Sequence, residues 1–422
     1  MVRPSPTRTF TLVGVISEVP LWSLFLVGAV WWIEELSFSP ARVIVLGIAL
    51  EVAVLFTEVP TGVVADRYSR RWSVQISFLL IGASLLLHAA TTNFIVLVAS
   101  LLLVGLGWTF RSGADIAWLT DQLQDEAASA ASADSADSAD GAANAASAED
   151  RVGAAIVRRQ LIILLTNVVT VPITVVLGLW SIRGTIAIFG ALTLLGGLLV
   201  APLLDGVGNA DTELGARDIA REGRAVATGS PVIRRVLIVT FVVALAGPAV
   251  DWLGLERFLT QGDFDDGSLV FTGVLFVAAA VSAAATVRVT ERRVDAGTEL
   301  PSLAASLLLV MAVGAALVAI SPVAAIALGI LLRDMAWEAF NPVVSAWVNP
   351  HADESSRATV HSIVGQTQSF GEFTGGVVAV AVTSFVGVAE ALVLAAAFSL
   401  VAAVAARSAP TSPKLRSNSS AR

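Results

Sequence analysis

Apolar segments of about twenty residues recur along the whole of this sequence, separated by short polar breaks. A helix needs about 20 mostly apolar residues to cross a bilayer, and its backbone polar groups must be paired within the segment. The segments are rich in Ala, Leu, Val, Gly and Ile without alternating polarity, which favours helices over the strands of a membrane barrel. The sequence therefore predicts an all-α integral membrane protein with twelve transmembrane helices, called spans 1 to 12 below, near residues 10–33, 41–64, 72–90, 93–119, 160–180, 184–204, 233–256, 268–289, 300–320, 322–348, 357–386 and 389–407.

Composition excludes several classes of protein. Hydrophobic residues make up 56% of the chain and charged residues 14%, with a mean hydropathy of +0.80, so a soluble domain is excluded. The sequence has no cysteine, three scattered histidines, and Lys414 as its one lysine. Disulfides, thiolate or zinc sites and a Walker-type phosphate loop are therefore not expected, and we predict no cofactor, no metal and no nucleic-acid partner.

The distribution of arginine sets the orientation of the chain. Short cytoplasmic loops of membrane proteins accumulate Lys and Arg, whereas external loops do not. With the N-terminus inside, Arg42, Arg183 and Arg257 fall on the outer side, Arg111 and Arg333 fall within spans, and all other basic residues lie on the inner side. This asymmetry predicts a multi-pass protein of the cell membrane with both termini in the cytoplasm.

Two polar segments divide the chain. Residues 122–150 are built mainly of Ala, Ser and Asp without a base, and we expect a disordered acidic cytoplasmic loop, although the alanine content leaves a helical alternative open. Residues 206–232 are expected to be the central cytoplasmic loop. Weak echoes at a six-span offset, such as Asp66-Arg67 after span 2 and Glu291-Arg292 after span 8, indicate two pseudo-symmetric six-helix bundles. The predicted units are an N-terminal bundle 1–205, a C-terminal bundle 233–408 and a polar cytoplasmic tail 409–422.

A cluster of charges stands directly between spans 2 and 3, where hydrocarbon makes charge costly. Residues 62–71 read Gly-Val-Val-Ala-Asp-Arg-Tyr-Ser-Arg-Arg and follow Glu58-Val-Pro-Thr. This pattern resembles the loop between helices 2 and 3 of the major facilitator superfamily of secondary transporters. Ser112-Gly-Ala-Asp-Ile-Ala-Trp in span 4 and Arg357-Ala-Thr-Val-His-Ser at the start of span 11 resemble one branch of that superfamily. The resemblance implies two parallel six-helix halves around a central cavity, working by alternating access.

The resemblance also implies a gating role for this charged turn, a name used below for Gly62, Asp66, Arg67, Arg70 and Arg71. In the family, the loop latches the two halves together on the cytoplasmic side. We expect Gly62 to permit close packing, and Asp66 to accept charge-assisted bonds from arginine while facing the positive N-terminus of span 11. The alternative is that the arginines serve only as a topological anchor.

The chain departs from the family pattern at three places. Ser69 stands where the family usually has glycine, which affects the freedom of the turn. Arg111 precedes Gly113 by two residues, which is not the register of the family's Arg-x-x-x-Gly motif in helix 4. Span 5 has Pro172 but lacks the Gly-Pro-x-x-Gly-Gly element of many drug/proton antiporters, which weakens that reading of the function.

Ionisable residues inside the N-terminal spans are candidates for function, because a charge at the bilayer centre costs about 2.5–3.5 kcal/mol to insert. They are Glu18 in span 1, Glu51 and Glu58 on one face of span 2, and Arg111 with Asp115 in span 4. Glu58 lies near the cytoplasmic end, so support of the charged turn is an equal alternative for it. Arg111 and Asp115 are four residues apart and are expected to pair, either structurally or at a substrate contact.

In the C-terminal half, the candidates lie in spans 10 and 11. Arg333 and Asp334 project about 100° apart and are not expected to pair, whereas Asp334 and Glu338 share a face. Two nearby carboxylates in a low dielectric compete for a proton, so Asp334 and Glu338 are our first candidates for proton coupling. In span 11, Gln366 and Glu372 are expected to face the cavity.

Some neighbouring residues have simpler interpretations. Gly371 and Gly375 have the spacing of close helix packing. Asp251 and Glu256 lie toward the outer end of span 7 and are expected to be solvated. The buried acids outnumber the two buried arginines, which fits a proton, a cationic or a neutral substrate better than an anionic one.

Together these observations predict a secondary active transporter that moves a small organic solute across the cell membrane by alternating access, with proton coupling and, from the resemblance, export. Its partners would be the lipid bilayer, the solute and the proton, and we expect a monomer. An enzyme is not expected, because the sequence has neither His-Glu-x-x-His nor a Ser-His arrangement suited to catalysis. The alternative is a transporter-derived receptor or scaffold without transport activity.

Overall fold

The structure is a computed structural model of the chain and describes residues 4–67, 69–133, 139–204, 230–320, 322–351 and 357–408. Every regular element in these ranges is helical, because an isolated apolar segment satisfies its backbone hydrogen bonds within the bilayer only as a helix. The predicted all-α fold class is confirmed. The N-terminal spans are Pro6–Val30 with a π-helical turn Trp31–Glu35 (span 1), Pro40–Arg67 (span 2), Arg70–Ala90 (span 3), Phe94–Ser112 with Ala114–Ala133 (span 4), Ala139–Trp180 (span 5) and Ile182–Val200 with a short turn Ala201–Leu203 (span 6).

The C-terminal half contains the same number of spans among the described residues. Span 7 is interrupted, because its regular hydrogen bonding stops near Gly247 and Pro248 and resumes through a π-helical turn. The C-terminal spans are Pro231–Ala244 with the π-helical turn Ala249–Leu253 and the helix Gly254–Gln261 (span 7), Ser268–Asp295 (span 8), Leu300–Val318 (span 9), Val323–Val348 (span 10), Arg357–Phe385 (span 11) and Val388–Arg407 (span 12).

Two of the spans are less apolar than the others. Ten helices in the described part of the chain are long and apolar enough to cross a membrane. Spans 10 and 11 are 26 and 29 residues long and do not reach that apolarity. Span 10 carries Arg333, Asp334 and Glu338 in its middle, and span 11 carries two glutamines and Glu372. These two spans therefore need a polar surface inside the bundle to receive their side chains.

Helix contacts repeat at an offset of six spans. In the N-terminal half, span 1 contacts spans 5 and 6, span 2 contacts span 4, and span 3 contacts spans 4 and 6. In the C-terminal half, span 7 contacts spans 11 and 12, span 8 contacts span 10, and span 9 contacts spans 10 and 12. The halves meet chiefly where span 2 packs on span 11 and span 5 packs on span 8. This repetition is the internal symmetry that the sequence predicted.

Glycine permits the closest helix approaches. A Cβ atom at Gly371 would lie 2.7 Å from the carbonyl oxygen of Phe241 in span 7, and one at Gly375 would lie 2.7 Å from the backbone of Leu245. Both glycines of span 11 therefore pack against span 7, as their spacing predicted. Gly62 of the charged turn does not behave in this way, because a Cβ atom there would meet no described atom within 4 Å.

The acidic segment differs from the expectation of disorder over most of its length. Helix continues in span 4 to Ala133, and span 5 begins at Ala139, so 122–133 and 139–150 are helical. Alanine carries the smallest cost of any residue in a helix, and this preference prevails over repulsion among the acids. Arg151 and Glu126 pair at 2.9 Å between the two helices. Residues 134–138 and 205–229 lie outside the described residues, so the predicted domain limits stay predictions.

We predict that Gly375→Ala lowers the stability of the protein by about 1–3 kcal/mol, because the added methyl group meets rigid backbone and not a mobile side chain. The measurement is thermal unfolding of the purified protein in detergent. Gly365→Ala on the same span is the matched control, since its methyl group would meet no described atom within 4 Å. Equal unfolding temperatures for the two variants would contradict this account of the packing.

Candidate solute cavity

A cavity of about 550 Å³ lies where the two halves meet. Spans 1, 2, 4, 5, 7, 8, 10 and 11 supply its walls, and the described residues of spans 3, 6, 9 and 12 supply none. The volume falls in the range of small-molecule sites, about 300–1,000 Å³. The walls combine aromatic and acidic side chains with one base. The aromatic residues are Trp22, Phe25, Trp108, Trp252, Phe276 and Trp337, the acids are Glu18, Glu51, Glu58, Asp251, Asp334, Glu338 and Glu372, and the base is Arg333.

One buried ion network ties spans 1, 4 and 5 together beside the cavity. Arg111 places Nη2 3.0 Å from Glu18 and Nη1 3.0 Å from Asp115, so the pair predicted from the four-residue spacing forms. Arg159 of span 5 lies 2.8 Å from the same oxygen of Asp115. Two acids and two bases balance, which offsets much of the cost of burying them. The sequence analysis missed Arg159, because arginines near the start of a span are the usual topological signal.

A second network lies in the C-terminal half. Arg333 places Nη2 2.7 Å from Asp251 of span 7 and Nη1 3.2 Å from Asp334. The expectation that Arg333 and Asp334 would not pair is wrong, because the long arginine side chain bends around the helix to reach its neighbour. Asp251 is exposed, as predicted, and it also lines the cavity, which the sequence analysis did not predict. Asp251 lies in the π-helical turn of span 7, where a regular helical projection no longer gives the direction of a side chain.

Spans 2 and 11 meet through acidic side chains. Glu51 of span 2 and Glu372 of span 11 both line the cavity where these spans pack on each other, and Gln368 donates to Glu372 at 3.1 Å. Closer to the end of the bundle, Gln366 donates to Glu58 at 2.5 Å. Thus Glu58 of span 2 bonds the other half of the protein.

Spans 5 and 10 form the corresponding junction on the other side of the cavity. Gln160 Nε2 donates to Glu338 at 3.0 Å. Asp334 and Glu338 both line the cavity, as their shared face predicted. Sequence reasoning missed Gln160, because a glutamine one residue after two arginines gives no signal of its own. Nine of the ten predicted cavity candidates therefore lie at the cavity or in the ion network beside it, and the tenth, Gln366, is bonded to Glu58 of the cavity wall.

The charged turn is described only in part. Asp66 and Arg67 are the last helical residues of span 2, and their side chains lie outside the described residues. Arg70 binds Asp121 and donates to the carbonyl of Ala117 at 3.0 Å, both in span 4 of the same half. Residues 352–356, before span 11, are also outside the described residues, so the expected contact of Asp66 with that span stays a prediction.

The close packing expected at Gly62 is wrong for the described atoms, and the structure places close packing elsewhere on span 2. Gly105 of span 4 lies directly against the backbone of Leu50, about three turns before Gly62. Span 2 therefore makes its tightest contact near the centre of the bundle. The turn itself begins span 3 with Ser69, whose hydroxyl accepts from the backbone of Trp72 at 3.4 Å.

An aromatic cluster lies on the side of the cavity toward the far face, meaning the end of the bundle opposite the chain termini. The indole of Trp252 in span 7 occupies the space that a side chain at Gly47 would need. Its ring lies 5.5 Å from Phe25 and 6.0 Å from Trp32, both in span 1. Glycine at position 47 is thus the seat for Trp252, and the contact joins the two halves.

Hydrogen bonds to His88 in span 3 fix the position of Trp32. Its indole nitrogen donates to His88 Nε2 at 3.1 Å, and His88 Nδ1 lies 2.7 Å from the hydroxyl of Ser100. His88 is fully buried. Because Nε2 accepts from the indole, the ring proton of neutral His88 lies on Nδ1. This chain of bonds fixes the surface on which Trp252 packs.

Comparison with known proteins gives the fold and not the sequence family. No protein-family model matches the sequence, and no curated protein matches it. Solved structures do match the whole chain. The chain has the fold of transporters of the major facilitator superfamily, as the charged turn implied.

Three of the matching structures illustrate this fold. A variant of the nucleoside transporter NupG has a TM-score of 0.75 at 15% identity, with 95% of this chain and 99% of that chain covered. A POT family transporter in complex with 5-aminolevulinic acid has a TM-score of 0.71 at 10% identity, covering 94% of each chain. A D-xylose-proton symporter has a TM-score of 0.69 at 14% identity, covering 96% of this chain and 97% of that chain. All three of these structures are of transport proteins.

We predict that Gly47→Leu prevents Trp252 from seating and so loosens the closure of the far face. Because the sequence has no cysteine, Leu255→Cys gives a unique reporter at the cavity wall. A maleimide in the aqueous phase should label that cysteine faster in the Gly47→Leu background. Gly153→Leu is the control, because a Cβ atom at Gly153 would meet no described atom within 4 Å. Unchanged labelling in Gly47→Leu would show that Trp252 does not close this face.

Proposed function

We propose that this protein is a secondary active transporter that moves a small organic solute across the cell membrane by alternating access. The observation that supports this most directly is the ligand-sized cavity at the junction of two pseudo-symmetric halves. A site at such a junction changes its access when one half rocks against the other. The contacts between the halves that can break and reform include an indole on a glycine at one face and polar pairs between spans 2 and 11 and between spans 5 and 10.

The arginine distribution supports an orientation with both termini in the cytoplasm and, on this proposal, a monomer in the cell membrane. In that orientation, the far face is external, so Trp252 closes the cavity from the outside. The charged turn lies on the cytoplasmic side and is proposed to control closure there. The contact between Arg70 and Asp121 supports part of that role, since it binds the turn to span 4 within its own half.

Proton coupling is the proposed energy source. Our sequence hypothesis placed it on Asp334 and Glu338, and both remain candidates because they line the cavity. Asp334, however, already pairs with Arg333. We propose Glu51 and Glu372 as the primary proton site, because they belong to opposite halves where spans 2 and 11 pack, and two carboxyl groups can bond each other only while they share a proton. Loading and unloading that proton would change the contact between the halves.

Export is our proposed direction, on the resemblance of the motifs alone. The transported solute is expected to be neutral or cationic, because the cavity walls are acidic. Two of the solved structures with this fold are a nucleoside transporter and a D-xylose-proton symporter, so small polar organic solutes suit this architecture.

A receptor or scaffold derived from a transporter is the second candidate, and it would retain the cavity without alternating access. The two differ in a direct test. Purified protein in proteoliposomes should show counterflow of at least one member of a broad solute panel, whereas a receptor would bind a solute and show no counterflow.

We predict that Glu51→Gln and Glu372→Gln each remove the response of transport to a proton gradient while leaving counterflow at equal pH measurable. The reason is that an amide keeps the hydrogen-bonding shape of the carboxyl group and cannot release a proton. Exposed Glu34→Gln is the control and should respond to the gradient like the unaltered protein. If both variants kept a full gradient response, proton coupling through this pair would be wrong. If Asp334→Asn and Glu338→Gln also kept a full gradient response, proton coupling at all four proposed carboxyl groups would be wrong.

A further inference from the structure

Each half pairs a guanidinium with carboxylates and an indole, Arg333 in the cavity wall and Arg111 buried beside the cavity. In the N-terminal half, the guanidinium of Arg111 lies between Glu18 and Asp115 and 4.5 Å from the ring centre of Trp108. In the C-terminal half, Arg333 lies between Asp251 and Asp334, with its guanidinium 5.2 Å from the ring centre of Trp337. Carboxylate on one side and indole on the other is a pairing that stabilises a cation.

The two arrangements use corresponding spans of the two halves, at different positions along them. The first joins spans 1 and 4 and the second joins spans 7 and 10, which is an offset of six spans. The acid that faces the cavity comes from span 1 or 7, while the arginine and the tryptophan come from span 4 or 10. The chemistry for binding a cation is therefore built into the frame of this cavity and does not rest on one chance contact.

The remaining acids of the cavity have different partners. Glu58, Glu338 and Glu372 accept from glutamine, and Glu51 lines the same wall, so none of the four forms an ion pair with a base among the described residues. Aromatic side chains face the same space, with Trp22 of span 1 packed edge-on against Phe276 of span 8 at 6.4 Å. The walls thus offer carboxyl groups and aromatic faces together.

We infer that the transported solute is an organic cation with a flat or aromatic body, bound between Glu51 and Glu372 on one side and the aromatic wall on the other. This inference rests on the proposed transport function. An inorganic metal cation fits less well, because no three metal-binding side chains converge in the part of the chain that the structure describes. An anion would meet seven carboxyl groups and a single guanidinium in the cavity wall.

The test uses three probes of one shape and different charge. They are N-methyl-4-phenylpyridinium, the neutral 4-methylbiphenyl and the anionic biphenyl-4-carboxylate. Binding to the purified full-length protein in detergent is followed by radioligand equilibrium dialysis and confirmed in proteoliposomes. We expect the cation to bind at least tenfold more tightly than either of the other probes, since one charge-assisted contact corresponds to about a tenfold change in Kd.

Variants separate recognition of charge from general damage. Glu372→Gln should weaken binding of the cation about tenfold and leave the weak binding of the neutral probe unchanged. Trp22→Ala should weaken both probes, because it removes aromatic contact and not charge. Glu34→Gln is the exposed control with unchanged affinity. Thermal unfolding of each variant shows whether it folds. If Glu372→Gln does not fold, Glu51→Gln replaces it.

The outcomes distinguish this inference from the proposed function. Equal affinity for the cationic and neutral probes, or unchanged cation affinity in both Glu372→Gln and Glu51→Gln, would overturn the cation assignment. If neutral solutes then gave counterflow, the transport function would stand without it. Conversely, tight and Glu372-dependent cation binding without any counterflow would support the cation site and refute transport.

Discussion

The cost of placing charge in hydrocarbon governs this structure. Each ionisable group in a span must find a partner or a polar space, and here the ones that line the cavity draw their helices around it. Arg111 in one half and Arg333 in the other each bridge two acids, and these bridges hold span 1 to span 4 and span 7 to span 10. The ionisable groups of the spans therefore lie at or beside the cavity, and the apolar faces of the helices are turned toward the lipid.

The contacts between the halves have a different character from those within them. Within a half, the described residues join spans through fully charged ion pairs, which are costly to break. Between the halves, the described contacts include an indole seated on Gly47 and two glutamine bonds, and Glu51 and Glu372 line the cavity where spans 2 and 11 pack. A transporter needs this contrast, because rigid halves must move across a junction that yields.

Much of the fold followed from the sequence, because segment length and apolarity act locally. The spans, the internal repetition and the pair of Arg111 with Asp115 depend on spacing along one helix. The misses depend on contacts between distant segments or on irregular backbone. Asp251 turns into the cavity through a π-helical turn, Arg159 resembles a topological arginine, and the seat of Trp252 on Gly47 has no local signal. The expectation of disorder in the acidic segment failed over most of its length because the helix preference of alanine prevails over repulsion among the acids.

The central claim is that a proton shared by Glu51 and Glu372 joins the two halves. Its most direct test is the distance between spans 2 and 11, measured by electron spin resonance between labels at Phe56→Cys and Phe370→Cys in this cysteine-free protein. Both positions are exposed, so labels there leave the junction intact. The account predicts one short, narrow distance at low pH, a longer or broader distribution at high pH where both carboxyl groups are ionised, and loss of this response in Glu51→Gln. A distance that does not change with pH in the otherwise unaltered protein would contradict it.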